Sequence, residues 1–158
     1  MTTNVLEKTA DLRTASCGDA AVLTELMRKL SYPTTPSVMR EQLESRENNP
    51  NYRTYLAERH GKTVGMIALR LIPARGKEPQ MAQIAGLVVD EDCRGCGIGR
   101  QLVEQAEAWA VESGSKLLFL TGINREERLG AHEFYARAGF EKYGCKFIKS
   151  LQTNTNIQ

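Results

Sequence analysis

The sequence predicts an α/β fold built on a mixed sheet. Three observations predict it. The order of elements is one strand, two helices, three successive strands, then helix, strand, helix and a closing strand or hairpin. Neighbouring strands followed by strand–helix–strand crossovers make a sheet with both antiparallel and parallel pairs. The hydrophobic period also changes along the chain, from alternation in "NYRTYLAER" to the continuous apolar run of "KLLFLT". The first pattern suits a half-buried strand and the second a strand covered on both faces. Finally, 158 residues make one domain large enough for a real core.

In order, "DLRTAS" is a short strand. In "GDAAVLTELMRKL", Ala21, Leu23, Leu26, Met27 and Leu30 recur at helical spacing, with Asp19 near the start, where a carboxylate suits the helix dipole. Tyr32-Pro33 ends that helix, and "PSVMREQLESREN" is a second, opened by Pro36 and closed by Asn48-Asn49-Pro50. "NYRTYLAER", the tight turn "HGK" and "TVGMIALRLI" are two strands joined back to back. "PARGKEPQ" is a loop, "MAQIAGLVVD" a strand, and Ile98, Leu102, Ala106, Trp109 and Ala110 mark one face of the next helix. "KLLFLT" is a strand, "LGAHEFYARAG" a helix stopped by Gly139, and "FEKYGCKFIKSL" a last strand or hairpin. The polar tail "QTNTNIQ", residues 152–158, has nothing to bury.

Composition excludes several classes. Hydrophobic residues are 41% and charged residues 25% of the chain, the balance of a globular protein. A net charge of +2 gives no reason to expect nucleic acid. No apolar run reaches membrane-spanning length, and "MTTNVLEKTADLR" lacks the pattern of a secretory leader. Four cysteines, Cys17, Cys93, Cys96 and Cys145, in such a chain point to reduced thiols and the cytoplasm.

The loop "CRGCGIGR" lies between a strand and a helix. Helix N-termini carry unpaired N–H groups and partial positive charge, and a loop without side chains lets a phosphate approach them. Gly95, Gly97 and Gly99 alternate, so the N–H groups of residues 95 to 100 can turn inward on a diphosphate, with Arg94 and Arg100 adding charge. Rossmann spacing and the Walker Gly-Lys-Ser/Thr are both absent. The other reading of the same residues is a tight turn with no ligand. Cys93 and Cys96 have Cys-x-x-Cys spacing, compatible with a redox pair, while no paired ligand spacing elsewhere completes a metal site.

"VVDEDCRGCGIGRQLVEQAEAWA" resembles the acyl-CoA loop of the GNAT superfamily of N-acetyltransferases, whose pattern Gln/Arg-x-x-Gly-x-Gly/Ala is matched by Arg94, Gly97 and Gly99. "AHEFYARAGFEKYG" resembles the same family's tyrosine helix and exit strand, and the strand order fits from residue 10 to 151. The resemblance implies a GNAT domain over residues 1–151, with a mostly antiparallel sheet and a splayed strand pair that takes the acyl-CoA. It implies acetyl-CoA as co-substrate, no metal, and transfer of the acetyl group to an amine by direct attack. Homodimers are frequent among such enzymes, and no residue singles one out here.

Carried over residue by residue, the cofactor-binding positions are Leu87, Val88, Val89, Arg94, Gly95, Cys96, Gly97, Ile98, Gly99 and Arg100, with Asn124 further upstream than the family's asparagine. Tyr135 matches the family's thiolate-protonating tyrosine; a phenol can donate to a developing thiolate, and it is also a residue a core would accept. The carboxylate that relatives often carry before the splayed strand is replaced by Gln83-Ile84-Ala85-Gly86. His132 shares a helix face with Tyr135 and is a candidate base, a structural histidine being the alternative. The C-terminal Ala131-His132-x-Phe134-Tyr135 and Phe147-x-Lys149-x-Leu151 resemble acetyltransferases of the aminoalkylphosphonate type, which implies a small primary amine as acceptor. Arg75 and Lys77 can meet an anionic substrate or simply face solvent. A protein N-terminal or lysine acetyltransferase and a non-catalytic acyl-CoA binder remain as alternatives.

Overall fold

The computed structural model describes residues 10–29, 34–121, 129–143 and 146–151. The elements are β1 (Asp11–Thr14), a 3₁₀ turn (Cys17–Asp19), α1 (Ala20–Lys29), α2 (Pro36–Arg46), β2 (Tyr52–Arg59), β3 (Lys62–Ile72) and β4 (Met81–Val89). A second 3₁₀ turn (Glu91–Cys93), α3 (Ile98–Glu112), β5 (Leu117–Thr121), α4 (Leu129–Arg137), β6 (Glu141–Tyr143) and β7 (Lys146–Ser150) follow. The strands hydrogen-bond in the order β1-β2-β3-β4-β5-β7-β6. The β4–β5 pair is parallel, while β1–β2, β5–β7 and β6–β7 are antiparallel. The expected mixed, mostly antiparallel sheet is therefore what forms.

The splay is visible in the ladder itself. Parallel pairing runs through Met81↔Leu117, Ala82↔Leu118 and Gln83↔Phe119, then stops, although β4 continues to Val89 and β5 to Thr121.

The described residues pack as two units. The first lies within Met1–Ala68 and Gly86–Leu102. Its core gathers Ala20, Leu23 and Leu26 of α1, Met39 of α2, Leu56 of β2, Met66 of β3 and Val88 of β4. The buried face of α1 starts one residue earlier than the apolar spacing suggests: Ala20 is inside and Ala21 exposed. Thr24 joins that face because its hydroxyl donates to Ala20 O at 2.7 Å and so loses no hydrogen bond on burial. Leu30, Tyr32 and Pro33 lie outside the described residues. Asp19 does more than face a dipole. Its carboxylate accepts the Ser16 N–H at 2.8 Å and a two-pronged bond from Arg13, at 3.0 and 2.7 Å. Arg13 also donates to Glu58 Oε2, which ties β1, the turn and β2 together.

The second unit lies within Leu69–Ala85 and Val103–Gln158. Leu118 and Leu120 of β5 are buried while Leu117 and Phe119 are half-buried, so one face of the strand is covered more fully than the other, short of the two covered faces expected from the unbroken apolar run. Of the α3 face read from the sequence, Ala106, Trp109 and Ala110 are buried in this unit, joined by Val103, which that face did not include, and Ile98 and Leu102 are buried within the first unit's range. The closing segment is a hairpin with Glu141↔Ile148, Lys142↔Phe147 and Tyr143↔Lys146 in register. Gly139 stops α4 with φ +94°. Phe140 N donates to Tyr135 O at 3.0 Å and Gly139 N to Ala136 O at 3.1 Å, a Schellman ending. The "HGK" turn has φ of +53° at His60 and +76° at Gly61, as a two-residue hairpin turn needs. The tail from 152 onward lies outside the described residues.

Candidate active site

The loop after β4 is held by Asp90, which is 3% exposed. Its N–H donates to Val64 O at 2.7 Å, closing the β3 edge, and its C=O accepts the Cys93 N–H at 2.9 Å, which starts the 3₁₀ turn. One carboxylate oxygen accepts the Asp92 N–H at 3.1 Å and the other takes Lys29 Nζ at 3.0 Å. The Asp92 N–H and then Lys29 hold this carboxyl below the usual carboxylate range, and Asp90 raises the Lys29 ammonium in return. From sequence Asp90 reads as the last residue of the strand, whereas in the structure it caps the turn that follows. An aspartate directly after an apolar run, two residues before a further turn residue, is the signal that could have found it.

Beyond Cys93 the chain turns at Arg94 and Gly95 into α3. Gly95 and Gly97 have φ of +85° and +84°, a region other residues enter only with strain. Gly99 is different: it sits inside α3, so its conformational freedom is not what the loop uses. The first helical bond is Gln101 N to Gly97 O at 3.0 Å, and helix geometry gives the N–H groups of Gly97, Ile98 and Gly99 no intrahelical acceptor. The first turn of α3 carries no acidic residue. Arg94, Gly95, Gly97 and Arg100 are exposed, whereas Ile98 is 1% exposed and anchors the helix in the core. Gln101 fixes the same turn to β1, its Nε2 donating to Ala10 O at 2.7 Å. Open N–H groups, two arginines and a first helical turn without a carboxylate suit a diphosphate.

Backbone direction divides the three β4 residues proposed from sequence. The Asp90 N–H points to β3, and Val88 O lies 3.1 Å from where a Cβ on Gly65 would stand. Backbone groups alternate sides along a strand, so those of Leu87 and Val89 point away from β3, to the other edge of β4, where the ladder among the described residues runs no further than Gln83. Val88 faces its strand partner and belongs to the core. Leu87 and Val89, half-buried, are the two that can present N–H and C=O groups to a bound chain. Gly65 is required by close approach: a Cβ there would also meet Leu102 Cδ1 at 3.3 Å.

Tyr135 and His132 are both on α4. Tyr135 is 6% exposed, and its ring meets Phe134, Phe140 and Phe147 at centroid distances of 5.0, 5.5 and 5.8 Å. His132 is half-buried with its ring 5.3 Å from Phe147. The two thus share a helix face and an aromatic neighbour, as the spacing suggested. The Tyr135–Phe140 contact is also the apolar clasp of the Schellman ending, so this ring has a structural part as well. Lys149 completes the ending: its Nζ donates to Ala138 O at 2.6 Å and pairs with Glu107 Oε2 at 2.9 Å. At the position where relatives often carry a carboxylate, Gln83 accepts a hydrogen bond from Arg70. Arg75 and Lys77 are exposed in a small turn closed by paired Arg75 and Glu78 backbone bonds, at 3.0 and 2.9 Å. Asn124 and Cys145 lie outside the described residues. Among the described residues no group of three His, Cys, Asp or Glu side chains could hold a metal ion. No helix there is long and apolar enough to cross a membrane.

The chain belongs to the acetyltransferase (GNAT) family, whose sequence model matches residues 20–140, and it is an N-acetyltransferase. It is 33% identical over 147 residues to the aminoalkylphosphonate N-acetyltransferase of Salmonella typhimurium, covering 89% of this chain and 91% of that one. Among solved structures, a GNAT-family acetyltransferase from Streptococcus pneumoniae superposes with a TM-score of 0.75 at 22% identity, over 90% of this chain and 99% of that one. The PaiA N-acetyltransferase of Thermoplasma acidophilum, solved in complex with coenzyme A, gives 0.64 at 17% identity, over 89% and 98%. The family uses acetyl-CoA as its acyl donor.

Proposed function

We propose that the protein transfers the acetyl group of acetyl-CoA to the primary amine of a small molecule, by direct attack of the amine on the thioester. The observation that carries the donor half is the loop at the start of α3, where Gly95 and Gly97 are left-handed and exposed, and no acid stands in the first helical turn. The N–H groups of residues 95 to 100, with Arg94 and Arg100, hold the diphosphate. Leu87 and Val89 offer their outward backbone groups to the pantetheine arm, and one of these N–H groups polarises the thioester carbonyl. Tyr135 protonates the leaving thiolate and His132 takes the proton of the attacking amine; their motif match and shared α4 face support these roles. Asn124 is assigned to coenzyme A contact on its motif position alone.

Likeness to the aminoalkylphosphonate N-acetyltransferase supports a small acceptor. We place the enzyme in the cytoplasm, where the free thiols of Cys17, Cys93 and Cys96 are maintained, and take residues 1–151 as its domain. The test is free-thiol release from acetyl-CoA over a panel of small primary amines, aminoalkylphosphonates among them, beside lysine-containing and free N-terminal peptides. Turnover concentrated on small amines supports the reading. Turnover confined to peptides overturns the acceptor class and leaves the donor half standing.

A further inference from the structure

Cys93 and Cys96 flank the turn that opens the diphosphate loop, and neither thiol has a part in the acetyl transfer proposed above. Arg94 has φ −69° and ψ 147°, and Gly95 has φ +85°. Those angles approach a type II β-turn, whose central residues sit near about (−60°, +120°) and about +80° in φ. Cys93 is then the first corner and Cys96 the fourth. Corner Cα atoms of such a turn lie within about 7 Å, which overlaps the roughly 4.4–6.8 Å span of disulfides. Both thiols are free and half-buried, so a small reagent can reach them.

We propose that Cys93 and Cys96 form a dithiol modification site that reacts with a low-molecular-weight disulfide of the glutathione type and closes to an intramolecular disulfide, weakening acetyl-CoA binding at the loop. The thiolate of one cysteine attacks a sulfur of oxidised glutathione. That S–S bond breaks, and one glutathione leaves as a thiolate that takes up a proton. The second cysteine attacks the protein sulfur of the mixed disulfide and releases the other glutathione. Two protein thiols lose two electrons and two protons, and one glutathione disulfide becomes two glutathione thiols.

Closure acts on the loop because it needs the two Cβ atoms within about 3.5–4.5 Å. Cys93 is fixed by its N–H bond to Asp90 O at 2.9 Å. Cys96 stands between Gly95 and Gly97, the two residues freest to rotate. The adjustment therefore falls on Cys96 and on the N–H groups leading into α3. This second half of the proposal rests on the functional reading above; the chemistry of the dithiol does not.

The experiment uses a Cys17→Ser, Cys145→Ser variant of the full chain, in which Cys93 and Cys96 are the remaining two of four cysteines. It is equilibrated in oxidised and reduced glutathione, alkylated, and its thiols counted by mass spectrometry. Wild type is mapped by proteolysis in parallel, which keeps the test valid should the variant not fold. Coenzyme A binding is measured calorimetrically on the reduced and oxidised forms. The expected result is joint loss of both thiols without added glutathione mass, and coenzyme A binding weaker by roughly ten-fold, the loss of about one charge-assisted hydrogen bond. Dithiothreitol restores both, and Cys93→Ser abolishes the response. Thiols that stay alkylatable, single glutathione adducts, or disulfide-linked dimers overturn the proposal, as does closure that leaves coenzyme A binding unchanged. A reduced protein that binds no coenzyme A overturns the functional reading and the second half with it, while the thiol count still decides the first half.

Discussion

Replacing Asp90 separates a turn cap from an ion pair. Its carboxylate does two jobs: Oδ1 accepts the Asp92 N–H at 3.1 Å, and Oδ2 pairs with Lys29 at 3.0 Å. Asparagine caps about as well as aspartate, so Asp90→Asn keeps the first job and loses the second. Asp90→Ala loses both. Lys29 is 46% exposed and can return to water, so its loss as a partner is largely screened. The gap between the two variants is then the cap, about 1 kcal/mol. The assay is urea unfolding followed by fluorescence of Trp109, the single tryptophan, and by circular dichroism. The Asp90 carboxyl is held below its ordinary value, so its stabilisation is present above the unfolded pKa of about 3.9 and is lost as pH falls through the lower folded value. Asp90→Asn should therefore lose less stability than wild type on acidification over that window. Because the cap starts the turn leading to the glycine loop proposed above to hold the diphosphate, Asp90→Ala should also raise the KM for acetyl-CoA more than Asp90→Asn does. Equal losses for the two variants would refute the cap and leave the charge as the whole effect.

Gly65→Ala should destabilise by about 1–3 kcal/mol in the same assay, because Val88 O at 3.1 Å is ladder backbone and gives way poorly. Asp19→Ala should cost about 2 kcal/mol, from the lost cap on Ser16 and the two-pronged Arg13 bond. Arg13, followed by the Ser16 N–H, holds the Asp19 carboxyl low, so the loss should be largest near neutral pH and shrink below the folded pKa, which urea midpoints across pH will show. Lys149→Met should lower Tm by about 4–8 °C, the equivalent of about 2 kcal/mol, by stranding the Ala138 carbonyl and Glu107; scanning calorimetry reads it.

The elements were legible where a period was long enough to read. The α3 face needs four turns to show itself and is legible except for Val103, which is buried beside it, while β5 is buried at Leu118 and Leu120 and only half-buried at Leu117 and Phe119. The α1 face slipped by one residue, Ala20 for Ala21, because Thr24 carries burial that a hydrophobicity pattern does not count. The two 3₁₀ turns were missed, since three residues leave no period. The loop was recognised from its glycines, but their separate uses were not: Gly95 and Gly97 turn the chain, and Gly99 lies in the helix. Support from a distance was illegible. Lys29 meets Asp90 across 61 positions and Lys149 meets Glu107 across 42, and only the folded chain brings them together. Gly65 carries no motif, and its need for a bare Cα comes from Val88 and Leu102 packed against it.

The most direct test is acetyl transfer by wild type beside Tyr135→Phe, with thiol release followed at saturating acetyl-CoA on the best small amine. Phenylalanine keeps the ring contacts with Phe134, Phe140 and Phe147, so the fold and the clasp at Gly139 remain. The expected result is a kcat lower by at least ~10-fold, as loss of a general acid requires, with the KM for acetyl-CoA unchanged. A kcat that does not move would contradict the account, because the phenol would then be a core ring and the thiolate would take its proton from elsewhere.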